Sequence, residues 1–129
     1  MTIELRYLAM AAALTALLWV PYILNRLAVR GIADAVGYPD NPKPQSPWAT
    51  RLQKAHGNAV ENLVVFAALV GVAHAAGLSN EATVFAAQMY FWARVVHAVA
   101  YTLAWPWVRT LAFTAGFVSQ AIFAWEILG

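Results

Sequence analysis

YLAMAAALTALLWVPYIL, residues Tyr7–Leu24, has no charged side chain over 18 consecutive positions. As a helix rising 1.5 Å per residue, such a run covers about 27 Å, most of a ~30 Å hydrocarbon layer. It exceeds the apolar core of a typical secretory signal, and no small-residue cleavage site follows Val20, which argues against a cleaved leader. The stretch therefore predicts a first membrane span over about residues 5–26, with Pro21 as a kink and Asn25-Arg26 as the exit to water.

The rest of the chain agrees with lipid as the solvent. Of 129 residues, 62% are apolar, 13% aromatic and only 11% charged, whereas soluble domains carry roughly 25% charged residues. A soluble domain of this size leaves about a third of its unfolded surface in water and needs a polar exterior that this composition lacks. With no cysteine, disulfides, thiolate metal sites and a cysteine nucleophile are excluded. The net charge of +2 comes from eight basic and six acidic residues without a basic run, so a nucleic-acid partner is set aside.

Outward from the first span, residues 27–50 are rich in turn formers, including Gly31, Gly37, Pro39, Pro42, Pro44 and Pro47, and are expected to form the one long connection. A second helix is predicted over about 50–76, ended by Gly77-Leu78-Ser79-Asn80. A third runs over about 80–104, capped by Ser79 or Asn80, with Glu81 placed against the helix dipole. Trp105-Pro106-Trp107 stops it, and a fourth covers about 108–128, where Ala115 and Gly116 allow close helix packing. The expected fold is all-α: an integral membrane four-helix bundle, up-down, with residues 1–129 as a single transmembrane domain.

Charge orients this bundle. Arg26, Arg30, Lys43, Arg51 and Lys54 lie in or beside the first loop and Arg109 beside the third, while Arg6 alone flanks the other face. By the positive-inside rule both termini lie on the non-cytoplasmic side, with Trp48, Trp105 and Trp107 as interfacial anchors on the cytoplasmic side. Glu4 and Glu126, near the opposite face, are expected to be solvated ends.

Ionisable groups at membrane depth cost about 2.5–3.5 kcal/mol each on insertion scales, so they need partners and mark function. Here they are ordered. Arg51, Lys54, Asn58 and Glu61 project within an arc of about 80° on the second helix, and Arg94, His97 and Tyr101 within about 60° on the third. Arg109 opens the fourth helix at the same level. Internal pairing of Glu61 with Arg94 or Lys54 accounts for part of this pattern. Four cations against one carboxylate leave an excess, and that excess points to an anionic ligand. No two histidines sit four apart, and His56 is about 140° from Glu61, so no metal site is expected.

The stretch Arg51-Leu-Gln-Lys54-Ala-His56-Gly57-Asn58-Ala-Val-Glu61-Asn62 resembles the second-helix signature of the MAPEG family, membrane-associated proteins of eicosanoid and glutathione metabolism. Arg94-Val-Val-His97-Ala-Val-Ala-Tyr101 resembles the Arg-x-x-His-x-x-x-Tyr stretch of its prostaglandin E synthase branch. Pro106-Trp-Val-Arg109-Thr110 is similar to the turn into that branch's fourth helix. The resemblance implies a homotrimer of four-helix subunits, with glutathione as co-substrate in crevices between subunits. It implies that Arg51, Lys54, Asn58, Glu61, Arg94, His97 and Tyr101 line the glutathione site and that Arg109 holds the thiolate. Arg26, Arg30 and Thr110 are further possibilities. Lys54 stands where the family commonly has an arginine, and Gly57 and Phe113 stand where the prostaglandin E synthase branch has a basic residue and a tyrosine.

The function expected is that of a glutathione transferase or peroxidase acting on a hydrophobic small molecule in a bacterial inner membrane, with no metal and no nucleic acid. A non-catalytic scaffold of the same fold, binding glutathione or a lipid, is the alternative. A small proton-coupled exporter fits less well, because such exporters carry the key glutamate in the first span, which has none here.

Overall fold

The computed structural model describes the whole chain, Met1–Gly129, as helices α1 (Ile3–Leu17), α2 (Trp19–Val36), α3 (Pro47–Ala75), α4 (Glu81–Thr102) and α5 (Pro106–Leu128). Only Leu18 separates α1 from α2, and its own backbone is right-handed helical. The interruption lies one turn before Pro21, whose ring crowds the carbonyl four residues earlier and whose nitrogen cannot donate. The two helices thus form one bent rod, Ile3–Val36, and the molecule is a bundle of four rods. Three of them, Ile3–Val36, Pro47–Ala75 and Pro106–Leu128, are long and apolar enough to cross a membrane. At 22 residues α4 is about 33 Å long and packs among the other three, most closely on α5.

The chain stays helical beyond the expected exit at Arg26. Residues 27–36, read from sequence as connection, are helical up to Val36, broken only at Gly31. Gly31 has φ 77° and ψ 163°, a conformation open essentially to glycine alone. The segments on either side are rich in alanine, leucine and isoleucine with no proline to stop them. The true connection is therefore shorter, from Gly37 to Ser46, and it is fastened to α2. Asn25 donates to the Ser46 hydroxyl (2.9 Å) and accepts from the Ser46 amide (3.1 Å), Gln45 donates to the Tyr22 carbonyl (2.7 Å), and Arg30 Nε donates to the Lys43 carbonyl (2.7 Å).

Both other turns are closed by the same pair of backbone bonds. After α3, Leu78 N–H donates to the Ala73 carbonyl (2.8 Å) and Gly77 N–H to His74 (3.1 Å); after α4, Trp105 N–H donates to Ala100 (2.8 Å) and Ala104 N–H to Tyr101 (3.3 Å). This is the Schellman arrangement, which needs a left-handed residue, supplied by Gly77 at φ 69° in one turn and by Ala104 at φ 60° in the other. A left-handed alanine costs about 1–2 kcal/mol, partly offset by the lower entropy of the unfolded alanine chain. Ala104→Gly is accordingly expected to stabilise the protein by about 0.5–1 kcal/mol, read as a higher unfolding midpoint in detergent. An unchanged or lower midpoint would show that this turn is not strained. Asn80 begins α4 with a reciprocal capping box, its side chain accepting from Thr83 N–H (3.0 Å) while its own N–H donates to the Thr83 hydroxyl (2.9 Å).

The core is small. Phe66 stacks on Tyr90 with ring centres 3.8 Å apart and meets Phe123 edge-on at 5.8 Å, while Ala11, Ala73, Ala86 and Ala87 let the backbones approach around them. Such small-residue contacts are how helices associate where lipid supplies no hydrophobic drive. Only 25 of 129 residues are buried, and large side chains such as Leu111, Phe117 and Trp125 face outward. An exterior this apolar in a chain with few charges makes it an integral membrane protein.

The ends of the bundle differ in charge. One carries Arg26, Arg30, Lys43, Arg51, Lys54 and Arg109; at the other, Glu4, Glu81 and Glu126 gather with Arg6. Of the two carboxylates expected to be solvated there, Glu4 is not. Glu126 accepts from the Asn80 amide (2.7 Å), and Glu4 is buried, 4% exposed, on the face of α1 that packs against α3 and α4, while its neighbours Ile3 and Arg6 are exposed.

Candidate functional site

The polar ribbon at the basic end begins at Arg94, about 12 Å above the end of α4 by helix rise. Arg94 is 4% exposed. Its Nη2 donates to Asn58 Oδ1 on α3 (2.7 Å) and to His97 Nδ1 one turn below (3.2 Å). A guanidinium can only donate, so His97 Nδ1 accepts, and the proton of the neutral imidazole sits on Nε2. On α5, Gly116 lies against the aliphatic stem of Arg94: a methyl group there would meet Arg94 Cδ at 3.9 Å. Nε and Nη1 of Arg94 are buried with no partner. A buried donor left unpaired costs about 1–3 kcal/mol, more when the group is charged.

The ribbon continues downward through rings. His97 meets Tyr101 edge-on with centres 5.6 Å apart, and the Arg109 guanidinium lies 4.9 Å from the centre of the Tyr101 ring. Arg51 donates from Nε to the Thr102 carbonyl at the end of α4 (2.9 Å). Arg51, Tyr101 and Arg109 together line an open cavity of about 170 Å³ with Trp105 and Pro106. The structure thus joins Asn58, Arg94, His97, Tyr101, Arg109 and Arg51 into one continuous strip. No hydrogen bond in this strip reaches a carboxylate.

Other expected residues lie apart from it. Lys54 and Glu61 are exposed on α3, so the expected pairing of Glu61 with Arg94 or Lys54 does not occur; Arg94 turns to Asn58 and His97 instead. Thr110 is exposed and spends its hydroxyl on the Pro106 carbonyl (3.0 Å). On α2, Arg30 binds the loop, while half-buried Arg26 keeps a buried Nε without a partner. His56, about 140° around the helix from Glu61, hydrogen-bonds through Nδ1 to the buried Tyr22 hydroxyl (2.8 Å) and joins α2 to α3.

Two residues were missed as participants. Asn62 donates to the Asn58 carbonyl (2.9 Å) and, at 3.3 Å, to Asn58 Oδ1, the acceptor used by Arg94. Gln120, from α5, donates to the Asn62 carbonyl (3.1 Å) and is 8% exposed. The sequence does carry a signal for both, since Asn58 and Asn62 are one turn apart and Gln120 interrupts an apolar helix. They extend the network across three helices and fix the height of Asn58 against Arg94.

Chemically, the strip offers several cationic donors, a neutral imidazole and a phenol, with aromatic walls and no built-in counter-charge. Comparison with known families matches residues 8–129 to the MAPEG family. No curated protein and no solved structure matches the chain. The match takes in α1 from residue 8 onward, all of α2 to α5, and the three motif-bearing stretches on α3, α4 and α5. This chain belongs to the MAPEG family.

Proposed function

We propose that the protein is a membrane-bound glutathione transferase or peroxidase that activates the glutathione thiol for attack on hydrophobic electrophiles. The observation that carries this reading is the buried Arg94, with two nitrogens unpartnered and no carboxylate bonded to it. An uncompensated buried guanidinium is expensive, and an anionic ligand relieves the cost. Glutathione has two carboxylates, an amine and a thiol. Arg51, Arg94 and Lys54 suit the carboxylates, Glu61 the amine, and Asn58, His97 and Tyr101 supply neutral hydrogen-bonding groups. Arg109 is the guanidinium for the sulfur.

In this reading the exposed Lys54 and Glu61 face a crevice shared with a neighbouring subunit of a homotrimer. The basic end lies on the cytoplasmic side, both termini lie on the other, and the setting is a bacterial inner membrane. The hydrophobic co-substrate enters sideways from lipid. The thiolate sulfur bonds to its electrophilic carbon while the leaving group departs with the bonding electrons.

Titration of the detergent-solubilised protein with glutathione, followed by absorbance at the thiolate band, tests the proposal. Saturable heat with a thiolate signal is the expected result. Binding without the signal favours a scaffold of the same fold, and absence of binding ends the glutathione reading.

A further inference from the structure

The acidic end of the bundle contains a second polar cavity, which the chemistry above does not use. It measures about 220 Å³ and is lined by Thr2 and Glu4 at the start of α1, Val70 and His74 on α3, and Leu78 and Ser79 in the turn before α4. Glu4 is 4% exposed, yet its carboxylate has almost no donors. Oε2 accepts from the Thr83 hydroxyl at 3.4 Å, while that hydroxyl lies closer, at 3.0 Å, to the Asn80 carbonyl. Oε1 is buried and has no partner. Glu4 occupies the first turn of α1, and Thr83 the first turn of α4. Two positive helix ends therefore converge on this carboxylate. No lysine or arginine lines the cavity to balance that charge.

The surroundings narrow the class of counter-ion. Calcium and magnesium require several oxygen ligands, commonly more than one carboxylate, and the structure contains no group of three or more His, Cys, Asp or Glu side chains able to hold a metal. An organic ammonium needs less: one anionic acceptor, one or two hydroxyl acceptors for its remaining N–H groups, and an apolar wall for its methylenes. Glu4 Oε1, the hydroxyls of Thr2 and Ser79, and the side chains of Val70 and Leu78 supply that set. Thr2 Oγ accepts the Leu5 amide at 3.2 Å and retains a second lone pair.

We infer that this cavity binds a primary alkylammonium group through Glu4, at the end of the bundle opposite the glutathione site. The group is either a free amine or the ethanolamine headgroup of a phospholipid. Titration of the full-length protein in detergent with ethylammonium should show saturable binding. Tetramethylammonium, which has no N–H donor, should bind at least tenfold more weakly. Glu4→Gln, which keeps the size and shape of the side chain, should lower ethylammonium affinity at least tenfold while leaving glutathione titration unchanged.

Nanodiscs separate the two sources. Co-purification of phosphatidylethanolamine over phosphatidylcholine with wild type but not with Glu4→Gln identifies the headgroup, and ethylammonium binding without that enrichment identifies a free amine. The inference is overturned if wild type neither binds ethylammonium nor enriches phosphatidylethanolamine, if Glu4→Gln binds as wild type does, or if tetramethylammonium binds equally well. Should Glu4→Gln fail to fold, the ethylammonium to tetramethylammonium ratio on wild type decides alone. Failure of glutathione to bind leaves these outcomes intact, because the two sites share no residue.

Discussion

Arg94→Met is expected to lower glutathione affinity about a hundredfold, or about 2.8 kcal/mol at 1.4 kcal/mol per decade, while leaving stability within about 1 kcal/mol of wild type. Those two outcomes are not usually joined at a buried residue. Removing one partner of a well-matched buried pair costs about 3–5 kcal/mol, because the other charge is stranded. Arg94 has no charged partner to strand. Its hydrogen bonds go to the neutral Asn58 and His97, and its Nε and Nη1 go to nothing. A methionine of similar length removes the desolvated charge and its orphaned donors. The costs are one hydrogen bond to His97 Nδ1 and one to Asn58 Oδ1, and the latter acceptor still receives Asn62 at 3.3 Å. Calorimetric titration and thermal unfolding in the same detergent read the two quantities. A stability loss of about 3 kcal/mol or more with affinity unchanged would make Arg94 a structural residue and remove the main support for the ligand.

The contrast between Arg94 and its neighbours on α3 shows what was legible in the sequence. Helical periodicity correctly set Arg51, Lys54, Asn58 and Glu61 within an arc of about 80°, but an arc has no landmark saying where the next helix lies. The structure divides it. Arg51 and Asn58, about 20° apart, lie beside the buried stripe of Leu52, Ala55 and Ala59 and touch α4; Lys54 and Glu61 lie about 60° further round and are exposed. Asn62 falls with the first pair, which is why it joins the network. That division depends on the register of α3 against α4, a property of two helices together that no single helix's pattern contains.

The three helices long and apolar enough to cross a membrane were legible for a simpler reason: a long run poor in charge has few other uses. The turns announced themselves through Gly77 and Pro106, and the cap through Asn80. The limits of α2 were hidden because the prolines of the connection dominate the composition of residues 27–50, although none lies between 27 and 36. Glu4 misled for a related reason. A charged residue four positions from a terminus resembles a solvated end, and its burial depends on α1 packing against α3 and α4. At both places the deciding contact is tertiary, so local sequence pointed the wrong way without being unusual.

Arg109→Ala is expected to separate chemistry from binding: kcat should fall about a hundredfold while the glutathione Kd changes less than about threefold. Arg109 is exposed and stands in the first turn of α5, where its guanidinium lies over the face of the Tyr101 ring and makes no side-chain hydrogen bond within the chain. It is therefore free to take an anion, and the positive end of the helix behind it favours the same charge. A free thiol has a pKa near 8.5 and is a few per cent thiolate at neutral pH. Lowering that pKa by about two units requires roughly 2.7 kcal/mol of preferential stabilisation of the anion, within reach of one guanidinium in a partly dry crevice. The direction in pH follows. With Arg109 present, thiolate persists down to about pH 6.5, so activity is lost only below that; without it, the acid limb moves up toward about 8.5. The pH–rate profile is thus the sharper measurement, since a residue that merely grips the peptide would lower affinity and leave the limb in place. Arg109→Lys keeps a charge but loses the flat fork that can face the sulfur and stack on Tyr101 together. It should recover part of the pH shift and only part of the rate, whereas equal losses in kcat and affinity for both variants would assign Arg109 to binding alone.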